Sequence, residues 1–174
     1  MRKIYILLGI VVFFAISVFK LHAQPSQGGT PPSIEFGIKT DLVVKEFVPA
    51  QSLKTLQAQD LQDAKQGLPM RAGVSVPVAN LGLDKGGTWT RLPDGRMMWQ
   101  SRLKSSGASS LGVVFEDFYI PEQAELYLYD VNKRMIIGAF TSENNHPSLQ
   151  FSTHVLPGDE IIIEYVEPFN ISVQ

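Results

Sequence analysis

The side chains able to do chemistry in this 174-residue chain are few, and their spacing argues against catalysis. A trypsin-type site needs a base histidine, an orienting aspartate and a nucleophilic serine in that chain order, gathered from distant segments of two barrels. Past residue 22 the histidines are His146 and His154, the aspartate after them is Asp159, and the serine after that is Ser172. So short a stretch does not supply distant segments, and no Gly-Asp-Ser-Gly-Gly or Gly-x-Ser-x-Gly motif is present. His146 and His154, with Glu143, Asp159 or Glu160, are the available metal ligands, but no His-Glu-x-x-His spacing joins them and solvated loop histidines are the simpler reading. The doublets Glu116-Asp117 and Asp159-Glu160 would send neighbours to opposite faces of a strand, so neither forms the facing acid and base of a glycosidase. Asp130-Val131-Asn132 lacks the glycine and terminal glutamate of a calcium loop and reads as a turn. No catalytic residue, metal site or cofactor is assigned.

Aromatic side chains are the remaining binding groups. Trp89 and Trp99 would suit a stacking platform for sugar rings, but the phase of Trp99 with Leu103 favours packing between strands. Tyr127 and Tyr129 alternate against Leu126 and Leu128, and their polar tips mark a partly exposed face, so they are the expected partner contact.

Period-two patterning positions these residues. Met97, Trp99, Ser101 and Leu103 share one strand face; Leu111, Val113 and Phe115 share another; Ile161, Ile163 and Tyr165 oppose Ile162 and Glu164. Pro93-Asp94-Gly95 reads as a tight turn with Gly95 at positive φ, Asn132-Lys133 links two strands, and Pro157-Gly158-Asp159 opens the last long strand. Strands returning at this rhythm predict a mainly β fold, an antiparallel β-sandwich of jelly-roll type. The helix expected beside it is short and N-terminal, over Ser52 to Lys65, with Ser52 as N-cap, Leu53, Leu56 and Leu61 near helical spacing, and Gly67 and Pro69 as stops. Ile34 to Val48 suggests one or two strands ending at Pro49.

The ends set the compartment. Arg2 and Lys3, the apolar run Ile4 to Phe19, and Leu21-His22-Ala23 before Gln24 match a secretory signal cleaved between Ala23 and Gln24. The run stops at Lys20, short of the about 20 apolar residues of a membrane span, so no stable membrane anchor is expected. Removing Arg2, Lys3 and Lys20 from 15 basic residues against 17 acidic ones takes the net charge from −2 to −5, which does not suit nucleic acid. The chain has no cysteine, so it holds no disulfide or thiol nucleophile. The organisation read from sequence is a signal over 1–23, a flexible Gly/Pro/Ser leader over 24–33, a strand and helix lead-in over 34–70, and a β-sandwich over 71–174. Because the tail Ile171-Ser172-Val173-Gln174 reads as a strand still running, truncation at the C-terminal end is expected.

From Leu53 to Pro168, and most specifically from Trp89 to Tyr165, the chain resembles the N-terminal, non-catalytic region of lysyl-endopeptidase-like, trypsin-type serine protease precursors of Bacteroidetes-type bacteria. The anchor is the Trp-x-x-Leu-x-Asp-Gly-x-x-x-Trp pattern at Trp89, Leu92, Asp94, Gly95 and Trp99, with Gln59-Asp60 and Arg71-Ala72-Gly73 ahead of it. An arginine usually follows the second tryptophan in that family, whereas Gln100 stands here. The resemblance implies an exported prodomain that assists folding or latency of a downstream serine protease domain, with that domain and the export machinery as partners. The alternative is an adhesion or carbohydrate-binding module with a glycan as partner.

Overall fold

Two proline-punctuated stretches and a set of alternating strands give the elements, in chain order: a one-turn helix α1 (Pro32–Glu35), strand β1 (Val44–Glu46), helix α2 (Leu53–Lys65), then strands β2 (Thr88–Arg91), β3 (Met97–Lys104), β4 (Ser110–Leu111), β5 (Val114–Phe115), β6 (Glu125–Asp130), β7 (Ile136–Phe140), β8 (Phe151–Ser152), β9 (Leu156–Pro157) and β10 (Glu160–Glu167). They are seen in a computed structural model that describes residues 26–49 and 51–168. The expected signal, its cleavage point at Ala23 and Gln24, and the tail 169–174 lie outside the described residues.

The fold is mainly β. A six-stranded sheet centres on β3 and β10, with β6 and then β7 beyond β10. The opposite side of β3 is shared: β2 pairs antiparallel with its first half, Trp89 facing Trp99, while β1 pairs parallel with Arg102, Leu103 and Lys104. That parallel strand makes the sheet mixed where the sequence suggested antiparallel pairing throughout. Two ribbons, β4 with β9 and β5 with β8, complete the strand pairing.

The two faces of the sheet are covered differently. Trp99, Leu103, Leu126, Leu128, Ile161, Ile163 and Tyr165 turn to the face met by the ribbons, where Leu111, Phe151 and Leu156 join them in one buried cluster. Phe118 and Phe151 stack there with ring centroids 4.5 Å apart. Every full side chain hidden in such a cluster contributes about 1.5–3 kcal/mol, so this face supplies most of the stability. Leu111, Val113 and Phe115 all point into it, although the chain breaks there into two short strands with different partners.

The turns follow their sequences. Asp94 accepts from the Arg96 amide and guanidinium, and Gly95 takes φ 94° in the β2–β3 connection, the conformation for which glycine has no Cβ penalty. Helix α2 starts at Ser52, whose hydroxyl accepts from the Thr55 amide, and ends before Gly67 at φ 71°. Of the three leucines near helical spacing only Leu56 is buried, and Leu53 and Leu61 face outward. Ahead of α2, the strands expected over Ile34 to Val48 shrink to three residues. Pro32 sits at the first helical position, where its fixed φ favours a helical turn, so Ile34 lies in α1.

Candidate functional site

On the face of the sheet away from the ribbons, alternation places Gln100 of β3, Tyr127 and Tyr129 of β6, and Ile162, Glu164 and Val166 of β10. A charged residue on an outer sheet face ordinarily meets water. Glu164 instead is 0 % exposed, because residues 26–38 cross this face. The segment begins at the free edge of β7: the Gln27 amide donates to the Ala139 carbonyl at 2.9 Å and the Ala139 amide donates to the Gly28 carbonyl at 2.7 Å. Pro31 and Pro32 are then fully buried, and Ser33 reaches Glu164.

Four donors converge on that carboxylate. The Ser33 amide donates to Oε1 at 2.9 Å; the Ser33 hydroxyl at 2.5 Å, the Tyr129 hydroxyl at 2.7 Å and Gln100 Nε2 at 3.0 Å donate to Oε2. Gln100 Nε2 also lies 3.1 Å from the Tyr129 hydroxyl. Removing a carboxylate from water without partners is costly, and charge-assisted hydrogen bonds from fixed donors offset it. Burial and the adjacent Glu164 push the Tyr129 hydroxyl well above its ordinary pKa. The Tyr127 hydroxyl is pushed up to about 12 by burial and by Glu125. Both tyrosines therefore stay protonated donors across the physiological range. Apolar contacts flank the polar centre: Ile34 packs with Tyr127, Tyr129 and Ala139, and Ile38 with Leu92, Met98 and Val166.

This arrangement corrects two expectations. Tyr127 and Tyr129, expected to contact a partner, are 3 % and 1 % exposed, because they sit under residues 26–38. The leader expected to be flexible over 24–33 is, from Ser26 on, a docked segment. Its glycines and prolines disguise it, since its partners lie more than 90 residues away. The family-motif residues form one hairpin: Trp89 opposes Trp99, Leu92 is buried beneath Ile38, and Asp94 and Gly95 make the turn. Trp99 belongs to the core, whereas Trp89 lies at the sheet edge, its ring 6.2 Å from Tyr165 and its indole nitrogen donating to the Leu83 carbonyl.

The remaining polar residues stay apart. His146 and His154 are exposed, and His146 Nδ1 accepts from the Ser148 amide within its own loop. Glu116 and Asp117 lie exposed in the loop after β5. Asp130 caps the β6–β7 turn, accepting from the Arg134 and Met135 amides at 2.7 Å each. Burial pushes its carboxyl up, but these amides and the Arg134 guanidinium hold it below the usual carboxylate range. Among the described residues no group of three or more His, Asp or Glu is placed to hold a metal ion, and no helix is long and apolar enough to cross a membrane.

One surface stands out for what it leaves uncovered. Between Phe47 and Val78, both packed on the main core, α2, with Leu56 buried, and the irregular stretch after it form an arm that pairs with no strand of the sheet. Arg71 folds that stretch back on the helix through Asp60 at 2.9 Å and Gln59 at 3.1 Å. Met70 is 90 % exposed, and Val48, Leu53, Leu61, Leu68 and Val74 are also open to solvent. No family model matches the chain. No solved structure matches it.

Proposed function

We propose that this chain is the exported, non-catalytic prodomain of a lysyl-endopeptidase-like serine protease precursor, and that its arm meets the protease domain whose folding or latency it assists. The observation that carries the reading is the arm itself. Six large apolar side chains over residues 48–74 lie open on an element whose two ends are anchored in the core. Large apolar side chains gathered in one exposed stretch of chain fit an interaction site better than a solvated face. Each side chain that a partner covers contributes about 1.5–3 kcal/mol on going from exposed to buried. The resemblance carried by the Trp89-to-Trp99 segment and the signal-like pattern of residues 1–23 support the choice of partner and the exported location.

The alternative, an adhesion or carbohydrate-binding module, has less to rest on. A two-tryptophan stacking platform is not available while Trp99 is in the core, and Trp89 alone reaches the surface.

The test is refolding of the cognate catalytic domain with and without this chain, read as recovered peptidase activity and as inhibition of the mature enzyme. The wild-type chain raises recovery or suppresses activity. A Leu61→Glu/Met70→Glu variant, changed at exposed positions where stability moves by about 0.5 kcal/mol or less, loses the effect while its unfolding curve is unchanged. A wild-type chain without effect on the protease, or a charged arm that works as well, refutes the proposal.

A further inference from the structure

Residues 26–38 form a strap across the outer sheet face, held by polar and apolar contacts with β3, β6, β7 and β10. The hydrogen bonds of this strap to Glu164 come from Ser33, through its main-chain amide and its hydroxyl. That is how a peptide is read, by backbone and one polar side chain, with Ile34 and Ile38 seated in apolar clusters on either side. Gly29 completes the fit. It sits at φ 99°, and a Cβ there would come within 3.2 Å of the Tyr127 hydroxyl.

The segment also has the connectivity of a removable part. It supplies no strand to the six-stranded sheet, and the large core lies on the other face. It joins the rest through a linker in which Lys39, Asp41 and Val43 are exposed. Its release would uncover Glu164, Gln100 and two tyrosines and break the two main-chain hydrogen bonds to Ala139, but no pairing among β1–β10. An apolar residue at position 164 would have sufficed for a permanently closed core, since replacing buried charge by apolar groups is often neutral or stabilising. A buried carboxylate that takes two of its four donors from the strap makes closure depend on the strap's sequence.

We propose that residues 26–38 are an exchangeable latch, a peptide that includes the helical turn α1 and is bound in cis to the outer sheet face, with Glu164 as the carboxylate that recognises the amide and hydroxyl of Ser33. That face then takes a peptide of the type Gly-x-Pro-Pro-Ser-Ile, and latch opening converts a closed face into a binding site. This does not rest on the protease reading, because the outer sheet face and the arm are separate surfaces.

The experiment uses the full mature chain with a sequence-specific protease site placed between Lys39 and Leu42. After cutting, a fluorescent synthetic peptide of residues 24–38 is added and its incorporation followed by anisotropy. Saturable uptake of one peptide per chain is expected, with the chain still folded by near-ultraviolet dichroism. Peptides carrying Ser33→Ala or Gly29→Ala should bind about tenfold more weakly or worse. In the uncut chain, the Gln27 and Ser33 amides should exchange with solvent through a local opening, faster than the paired amides of β3 and β10. Failure of the peptide to enter, uptake indifferent to Ser33, strap amides that exchange only on global unfolding, or a cut chain that unfolds when the segment leaves would each overturn the latch. A dimer that exchanges straps between copies would overturn the assignment in cis.

Discussion

Replacing Tyr129 by phenylalanine tests the account of the buried carboxylate most directly, because it removes one oxygen and leaves the ring in place. That oxygen donates to Glu164 at 2.7 Å and lies 3.1 Å from Gln100 Nε2 and 3.0 Å from the Ser33 hydroxyl. Gln100 and Ser33 keep Glu164 as acceptor, so the main loss is one hydrogen bond to a charged group that water cannot replace, about 1.5–3 kcal/mol. For a chain of this size a urea m-value of about 2 kcal/mol/M turns a loss of 2 kcal/mol into a midpoint lower by about 1 M. The assay is urea unfolding followed by far-ultraviolet dichroism at neutral pH. Tyr127→Phe is the internal control. Its hydroxyl makes one long contact with Glu125, at 3.4 Å, and its loss should cost about 0.5–1 kcal/mol, less than that of Tyr129. Combining Tyr129→Phe with Ser33→Ala should be non-additive, with a coupling of about 0.5–3 kcal/mol, since both act on the same carboxylate oxygen. Equal effects of the two tyrosine variants, or strict additivity with Ser33→Ala, would refute the idea that the four donors act together.

Two further outcomes follow from single positions. Gly87→Ala should destabilise by about 1–3 kcal/mol and change tryptophan fluorescence, because the new methyl would lie 2.2 Å from the buried Trp99 ring and force it to move; unchanged stability and emission would contradict the packing described. Asp130→Asn should cost about 1 kcal/mol at neutral pH. Since the folded carboxyl titrates below its unfolded value near 4, this contribution is present above that value and fades as the pH falls through the folded one. Urea curves of the two proteins should therefore converge in acid, and a constant difference down to the lowest pH would count against the charge-assisted cap.

The features legible in the order of residues alone are local. Period-two alternation set which side chains of β3, β6 and β10 share a face, and Pro93-Asp94-Gly95 set the hairpin that brings Trp89 opposite Trp99, because a tight turn fixes its own register. Ser52 and Gly67 bounded α2 for the same reason: caps act on the nearest backbone groups. What covers each face is set only when segments distant in the chain meet. Glu164 reads in sequence as an outward, solvated position, and Gly28-Gly29-Thr30-Pro31-Pro32-Ser33 reads as a loose leader, since neither pattern contains the other. Their contact spans 131 residues of chain, and only folding brings the Ser33 amide and hydroxyl to that carboxylate. The exposure of Leu53 and Leu61 has the same origin. Helical spacing shows that an apolar stripe exists, but whether anything is packed against it depends on a surface supplied from elsewhere.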